Sequence, residues 1–209
     1  MDGGCLSAQF LSNTEPPSDY SILDSVTTMS GLKLERVNQL TQKDIAGLDF
    51  SFTIRAEVAK PISQLENDLP FQTRPIPERV KDFGFDEEQV QGSDGLNKAI
   101  FVLRAEDGRV YGYAVASKNW NRMVVLDFIG LDASVRGGGN ALRLLDAVKA
   151  WTREIGLGAV RIEGQSNNVA ACRFYKKAGM VFGGYDEHLY SAMSESRGEI
   201  AVFFYALLD

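Results

Sequence analysis

The chain has 209 residues, of which 44% are hydrophobic and 24% are charged, values typical of a globular protein with one core and an extension. Its net charge is −6, from 28 acidic and 22 basic residues, which argues against a nucleic-acid partner and mildly favours a cationic one. The sequence contains no apolar run of about 18 residues, so we expect no membrane-spanning segment and no membrane partner.

Cysteine and histidine are scarce, which limits the chemistry open to this chain. The two cysteines, Cys5 and Cys172, are too few for a disulfide framework, so a reducing, cytoplasmic setting is the default expectation. The N-terminal residues also lack the basic region and the apolar stretch of a secretory signal. Because His188 is the only histidine, we expect no histidine-rich metal site and no bound metal, and we place His188 in a strand near a sheet edge.

The first part of the chain predicts a tail, a strand and a short helix. Residues 1–30 are rich in small and polar residues, which predicts a flexible N-terminal extension before a single domain over residues 31–209. An alternating pattern from Leu32 predicts the first strand, and the N-cap residue Thr41 predicts a short helix after it. Residues 50–77 predict a strand and then a proline-punctuated loop, a suitable place for a substrate-specificity loop.

From residue 99 onward the strand pattern is clearer. Two apolar runs around Asp107 and Gly108 predict a β-hairpin. A nearly continuous apolar run over residues 122–132 predicts a central strand that is covered on both faces. Three further strands are predicted over residues 159–164, 180–193 and 199–208, the last two as antiparallel neighbours.

Two helices are predicted among these strands. The first carries an apolar stripe and ends at Gly156, and the second begins with a polar cap, Asn167 or Asn168, and ends at Gly179. The order is a strand meander, a strand–helix–strand unit, a helix and two strands. This order predicts an α+β fold, or an α/β fold with a mixed sheet.

Three consecutive glycines stand immediately before the first of these helices. A helix N-terminus exposes unpaired N–H groups, and glycines let the backbone approach an anion closely. The sequence therefore predicts a phosphate site at this turn. Its predicted donors are the backbone amides of Gly137, Gly138, Gly139, Asn140 and Ala141, with the Arg136 guanidinium at the mouth.

Other interpretations of the glycine turn stay open on these residues alone. The P-loop string is not present, and a dinucleotide-binding fingerprint would need a third glycine where Leu142 stands. Glu163 does lie about where a ribose-binding acid would follow such a fingerprint. A tight strand-to-helix turn that binds no ligand is equally compatible with the pattern.

Two motifs together resemble the GNAT superfamily of N-acetyltransferases. Arg136, Gly139 and Ala141 match its acetyl-CoA motif, R-x-x-G-x-[GA]. The second motif, N-x-x-A-x-x-[FL]-Y-x-K-x-G-[FM], is matched by Asn168, Ala171, Phe174, Tyr175, Lys177, Gly179 and Met180. The C-terminal part is similar to the streptothricin acetyltransferase branch. The resemblance extends over residues 32–209 and is strong from about residue 99 onward.

The resemblance implies a central mixed β-sheet with two splayed parallel strands, flanked by helices. Acetyl-CoA would lie in the opening between these strands, with its pyrophosphate on residues 136–141. Its pantetheine arm would pair with the backbone of Ile129 and Leu131, as an added strand does. Asn168 and Ala171, from the second motif, would contact the same arm.

The resemblance also implies direct transfer of the acetyl group from sulfur to an amine. Asp127 is the one acid in an otherwise apolar strand, and it is equally suited to be the general base or an anchor for the substrate cation. Tyr175 would protonate the leaving thiolate, although an aromatic core residue is the alternative. We interpret Cys172 as a packing residue rather than a covalent acetyl carrier.

The expected acceptor is a small cationic amine. The branch resemblance points to an antibiotic of the streptothricin type, and hence to resistance or detoxification. Acids proposed to bind the acceptor are Asp127, Glu163, Asp186 and Glu187. A peptide or polyamine acceptor, or a sensor that binds acetyl-CoA without transfer, remains an alternative. The resemblance allows a homodimer, which nothing in the sequence itself indicates.

Overall fold

The computed structural model describes residues 31–67 and 70–208, and the predicted extension over residues 1–30 lies outside them. The strands are β1 (Lys33–Val37), β2 (Phe52–Val58), β3 (Thr73–Lys81), β4 (Lys98–Arg104), β5 (Val110–Lys118), β6 (Val124–Leu131), β7 (Ala159–Gln165), β8 (Val181–Asp186) and β9 (Ala201–Leu207). The helices are α1 (Asn140–Glu154) and α2 (Val169–Lys177), with short 3-10 turns at Gln42–Ile45, Ile62–Glu66 and Ala133–Val135.

A seven-stranded sheet forms the centre of the fold. Its strand order is β1-β4-β5-β6-β7-β9-β8. Among the described residues, β6 and β7 are the one parallel pair, and α1 makes the crossover between them. All other neighbours in this sheet are antiparallel. The predicted mixed sheet is therefore confirmed.

Both faces of the sheet are buried, as its alternating side chains require. On β4, Phe101 and Leu103 pack on the face that α1 covers, whereas Ile100 and Val102 point to the opposite face. The α1 stripe contains Leu144, Leu145, Val148 and Trp151, all at most 1% exposed. Burying a large apolar side chain contributes about 1.5–3 kcal/mol, so this stripe holds α1 firmly on the sheet.

The predicted helix ends are confirmed. Gly156 follows α1 with a φ of +73°, and Gly179 follows α2 with a φ of +76°, a left-handed conformation that favours glycine. At the start of α2, the Asn168 side chain accepts a hydrogen bond from the Ala171 N–H at 3.1 Å. This bond satisfies one donor of the first turn and settles the cap on Asn168 rather than Asn167.

The prediction of a loop after β2 is wrong from Thr73 onward. Residues 73–81 form β3, which pairs with β2 as a separate two-stranded ribbon. Both strands are edges, so Pro75 and Pro77 can occupy β3 without removing a ladder bond that a central strand would need. The Val58 N–H donates to the Ser166 carbonyl at 2.9 Å. The ribbon is thereby attached beside the carboxyl end of β7.

The strand predicted over residues 180–193 is shorter in the structure. It ends at Asp186, whose carboxylate accepts hydrogen bonds from the N–H groups of His188 and Leu189 at 2.7 and 3.1 Å. This Asx turn redirects the chain. His188 consequently lies in a turn after β8, and its predicted place in a strand is wrong.

Candidate active site

The central strands separate at a defined point. In the described residues, β6 and β7 pair only from Val124 to Leu126 on β6 and from Val160 to Ile162 on β7. On the other side of β6, Val115 pairs with Phe128 and Ala116 with Leu126, which leaves Asp127 as the extra residue of a β-bulge. The bulge bends β6 away from β7, so the predicted splay is present and begins at Asp127.

Beyond the bulge, the backbone of β6 borders an opening. The Asp132 N–H donates to the Tyr111 carbonyl of β5 at 2.8 Å. Because backbone groups alternate in direction along a strand, those of Leu131 and Ile129 point to the opposite side, away from β5. This is where the resemblance to the GNAT superfamily implies pairing with a pantetheine arm. The C-terminal half of β6 is only half-buried, so the expectation of a strand covered on both faces is wrong there.

The glycine turn has the geometry of an anion site. Gly137 and Gly139 have φ of +82° and +80°, and Gly139 is the N-cap residue of α1. In the part of the chain that the structure describes, no side chain caps this helix end. The N–H groups of the first turn, including those of Asn140 and Ala141, are therefore available to a ligand. A Cβ atom on Gly138 would meet only the Asn140 side-chain nitrogen, at 3.8 Å, so the turn is open.

Side chains around the turn hold it in place. The Asn140 amide donates to the Val135 carbonyl at 3.0 Å, and its oxygen accepts from the Arg143 guanidinium at 3.1 Å. The Arg136 guanidinium donates hydrogen bonds to the Leu131 carbonyl at 2.9 Å and to the Asp49 carbonyl at 3.3 Å. In this arrangement Arg136 stabilises the end of β6 rather than projecting freely at the mouth of the turn.

Asp132 is a buried residue for which the sequence predicts no role. Its carboxylate accepts hydrogen bonds from the Ser134 N–H at 2.9 Å, from the Ser134 hydroxyl and from the Asp49 N–H at 2.6 Å. These contacts join the segment before β2 to the start of the glycine turn. The signal available in the sequence was an acid directly after an apolar strand with a serine two residues later, a common side-chain cap.

Asp127 is accessible to solvent, in contrast to the burial expected for it, because the bulge removes it from the regular alternation of β6. Desolvation by the surrounding strands nevertheless raises the pKa of its carboxyl group. A hydrogen bond with Ser117 and the charge of Lys98 lower it in part. A carboxylate with a raised pKa that a substrate can reach is suited to accept a proton.

Tyr175 lies on the buried side of α2. It is 6% exposed, and its ring is 5.3 Å from the Phe204 ring, centroid to centroid. The Tyr175 ring packs beside Gly164 of β7, since a Cβ atom built on this glycine would be 3.6 Å from the ring. Because Gly164 has no side chain, Tyr175 lies close to β7, the strand that borders the opening. Burial raises the pKa of Tyr175, which keeps the phenol protonated and able to donate a proton.

Three further residues at the start of α2, Asn168, Ala171 and Cys172, have structural partners. Asn168 and Ala171 form the cap of α2, with the Asn168 amide nitrogen left for other contacts. Cys172 is fully buried, and burial raises the pKa of its thiol to about 12. Because the thiolate is the nucleophilic form, this environment supports the interpretation of Cys172 as a packing residue.

The four acids proposed for the acceptor are not equivalent in the structure. Glu163 follows the last paired residue of β7 and therefore lies beside Asp127 at the start of the splay. Asp186 caps the turn after β8, and the Glu187 carboxylate pairs with the Lys60 ammonium at 2.6 Å. The Lys60 hydrogen bond and charge lower the pKa of Glu187. The structure thus brings Asp127 and Glu163 together and gives Asp186 and Glu187 other partners.

A polar cluster that the sequence does not predict lies between the ribbon and the sheet. Glu199 is 6% exposed and pairs with the Lys81 ammonium at 2.6 Å and with the Arg79 guanidinium. Burial favours the neutral form of Glu199, but its hydrogen bonds to Lys81 and Asn167 outweigh burial and lower its pKa. Lys81 also donates to the Gln165 side chain at 2.9 Å. These contacts fix the ribbon over the carboxyl end of β7.

Within residues 31–67 and 70–208, no group of three or more metal-ligating side chains is placed to hold a metal ion. None of the helices in the same residues is long and apolar enough to cross a membrane.

Comparisons with known proteins agree with this geometry. A family model described as "Acetyltransferase (GNAT) family" matches residues 62–180. The streptothricin acetyltransferase of Escherichia coli is 29% identical over 140 residues, which cover 67% of this chain and 77% of that protein. The streptothricin acetyltransferase of Streptomyces lavendulae is 27% identical over 163 residues, which cover 76% of this chain and 86% of that protein.

Solved structures agree as well. A Bacillus anthracis protein assigned as a streptothricin acetyltransferase, crystallised with acetyl coenzyme A, has a TM-score of 0.68 and 28% identity, with 85% of this chain and 98% of that chain covered. A nourseothricin acetyltransferase shares the fold, with a TM-score of 0.66 and 24% identity over 84% of this chain and 99% of that chain. Since the family model spans more than half of the residues, the chain belongs to the GNAT family and is an acetyl-CoA-dependent N-acetyltransferase.

Proposed function

We propose that this enzyme acetylates a primary amine of a small cationic acceptor of the streptothricin class, and that it thereby inactivates such an antibiotic. The observation that carries the proposal is the β-bulge at Asp127. It places a carboxylate with a raised pKa where the two parallel strands separate. The relatives named above as streptothricin acetyltransferases support the choice of acceptor.

The donor would lie along the open edge of β6. The backbone groups of Ile129 and the N–H of Leu131 would pair with the pantetheine arm, and Asn168 and Ala171 at the start of α2 would line its other side. The pyrophosphate would rest on the N–H groups of residues 137–141, where the positive end of the α1 dipole favours negative charge. Arg136 would act by holding the Leu131 carbonyl and hence the shape of this edge.

The acceptor would approach Asp127 from the face of the sheet opposite α1. A primary amine with a pKa of about 10 is mostly protonated at neutral pH, so it must lose a proton before it attacks. The Asp127 carboxylate would take this proton directly or through a water molecule, and before that step it would attract the ammonium ion. Base and cation anchor are therefore successive roles of one carboxylate.

The chemical step would be direct transfer. The neutral amine nitrogen attacks the thioester carbonyl carbon, the carbon–sulfur bond breaks, and the amide forms as CoA leaves as a thiolate. Tyr175 would donate its phenolic proton to that sulfur, and the proton that the nitrogen loses as the amide forms would return the phenolate to a phenol through water. The buried Cys172 thiol, with its raised pKa, does not favour an acetyl-cysteine intermediate.

The surroundings of Asp127 suit an organic cation. Phe128 stacks on Tyr113 with ring centroids 4.5 Å apart on the face opposite α1. Glu163 adds a second carboxylate on β7. Aromatic rings and carboxylates are the groups that recognise an ammonium ion.

A panel of amines tests the proposed activity. Purified enzyme with acetyl-CoA is offered streptothricin, a peptide with a free N-terminus and the polyamine spermidine, and release of free CoA is measured. We expect rapid release with streptothricin and little with the other two. A clear preference for the peptide or spermidine would contradict the acceptor class. Tight binding of acetyl-CoA with no release from any amine would indicate a sensor instead of an enzyme.

Replacing Asp127 by asparagine should lower activity and raise stability together. The acid limb of the pH dependence of kcat/KM should follow the raised pKa of Asp127 in the wild type, with activity rising as the carboxyl group deprotonates. Asp127→Asn should lose this limb and most of the activity. A carboxyl group whose folded-state pKa is raised costs stability as pH rises through and above its unfolded pKa, so the variant should melt at a higher temperature than wild type at neutral pH.

Asp86→Asn is the matched control for this prediction, since Asp86 is exposed in a turn and caps the Glu88 and Gln89 N–H groups. We expect the control to keep the wild-type pH profile. An Asp127→Asn variant with an unchanged acid limb would assign the limb to another group.

A further inference from the structure

We propose that Tyr190 is a positioning residue that holds the Glu163 carboxylate where it binds a second cationic group of the acceptor. The inference rests on the proposed function, since it adds a specificity contact to the same acceptor site. It identifies the acceptor class as dibasic: one amine reacts at Asp127 while another ammonium group is bound at Glu163.

Glu163 and Asp127 lie on the same side of the opening. Ile162 packs in the core on the α1 face, so the next residue of β7, Glu163, points to the opposite face. Leu126 also packs in the core on the α1 face, whereas Phe128, on the other side of Asp127, packs on the opposite face. Asp127 thus also lies opposite α1. Each acid is one residue past the end of the parallel pairing, on adjacent strands.

The Tyr190 hydroxyl orients Glu163. Tyr190 is 8% exposed, and its O–H donates to Glu163 Oε1 at 2.8 Å. The Glu163 side chain itself keeps 39% of its surface exposed. A carboxylate has about four acceptor positions, so one phenol leaves room for a ligand ammonium. Tyr190 is therefore a rigid, buried donor behind a carboxylate that a substrate can reach.

A competing cation shows why such a donor is needed. The Arg161 guanidinium is 3.8 Å from Glu163 Oε2 and lies over the Phe203 ring, 4.6 Å from its centroid. Without the Tyr190 hydroxyl, the carboxylate would be free to rotate into a closer pair with Arg161. The phenol thus holds Glu163 in an orientation that leaves negative charge for an acceptor.

The turn that carries Tyr190 is itself anchored. Asp186 caps the His188 and Leu189 N–H groups directly before it. Burial raises the pKa of Tyr190, and the Glu163 hydrogen bond adds to the effect, so the phenol remains a donor at the pH values where amines lose their protons. The orientation of Glu163 is therefore constant over the working range of the enzyme.

A double-mutant cycle tests the inference, with streptothricin as the acceptor. Tyr190→Phe removes the hydroxyl and keeps the ring, and Glu163→Gln removes the charge. Each should raise the acceptor KM about tenfold, which is the scale expected for one hydrogen bond to a charged group. We expect kcat to stay within twofold of wild type and the KM for acetyl-CoA to be unchanged. The double variant should be no worse than Glu163→Gln, because the phenol acts through the carboxylate.

Two further measurements make the outcome independent of turnover. Calorimetry of streptothricin binding to the CoA-bound enzyme should show the same loss of affinity in both single variants. In the wild type, 1,5-diaminopentane should compete with streptothricin more strongly than pentylamine, and Glu163→Gln should abolish that difference. Tyr185→Phe is the matched control, since Tyr185 is 46% exposed on β8, and it should behave as wild type.

The outcomes separate the two proposals. Streptothricin binding without turnover would contradict the proposed function, while the binding data would still decide the role of Tyr190. Two results would overturn the positioning role of Tyr190 alone, provided that turnover is normal. One is that the effects of Tyr190→Phe and Glu163→Gln on the acceptor KM multiply in the double variant, and the other is that the KM for acetyl-CoA changes. Failure of the wild type to bind streptothricin, or equal competition by the diamine and pentylamine, would overturn the second cation site.

Discussion

Tyr175→Phe should lower kcat by roughly 10²- to 10⁴-fold while the Kd for acetyl-CoA stays at the wild-type value. The substitution deletes a single oxygen from a buried ring that keeps its contacts with Phe174 and Phe204. Only the proton donor to the departing thiolate is lost, so the transition state is affected and donor binding is not. Single-turnover rates and calorimetry with acetyl-CoA measure the two quantities separately.

Tyr205→Phe is the control for this result. Tyr205 is half-buried on β9, where its ring lies over Gly183 of β8. This variant should retain a kcat near that of wild type. If Tyr175→Phe also kept kcat within about threefold, Tyr175 would be a core residue and another group, or water, would protonate the sulfur.

Gly139→Ala should raise the Kd for acetyl-CoA roughly 10- to 100-fold. Gly139 has a φ of +80°, which an alanine adopts only with strain, so relief of that strain would rotate the N–H groups at the start of α1. Each hydrogen bond to a charged group contributes about 1.5–3 kcal/mol, and misaligning one of them suffices for this change in Kd. Calorimetric titration with acetyl-CoA measures it directly.

Gly156→Ala separates strain from binding. Gly156 has a φ of +73° at the other end of α1, and at both glycines a Cβ atom would meet open space. The two variants should therefore lose similar stability, about 1–2 kcal/mol by thermal unfolding. Only Gly139→Ala should lose affinity. Equal Kd values for the two variants would contradict the assignment of the turn as the pyrophosphate site.

The features predicted most successfully are those that depend on neighbours in sequence. The helix ends at Gly156 and Gly179 and a polar cap at Asn167 or Asn168 are predictable because a helix end is satisfied by residues within one turn of it. The spacing of the two motifs then identified the family. The largest difference from the predicted secondary structure is β3: its prolines indicate a loop, whereas an edge strand tolerates them.

The sequence proposes candidate site residues but does not specify their arrangement. Asp127 was selected as the lone acid of an apolar strand, yet its accessibility depends on a bulge in its pairing with β5. Glu163 was one of four candidate acids, and its proximity to Asp127 follows from the parallel register of β6 and β7. Tyr190, Asp132 and the contacts of Glu199 gave no sequence signal strong enough to distinguish them from ordinary polar residues.

The amino-acid sequence by itself determined the helix ends, the glycine turn and the family, because each depends on local backbone preferences and on short motifs at fixed spacing. Tertiary structure alone decided where the strands separate, which acids face the opening and which phenol orients Glu163. Those features depend on pairing between residues such as Tyr190 and Glu163, which are 27 positions apart. Contacts over such separations are set by strand order and register, and composition or periodicity does not specify them.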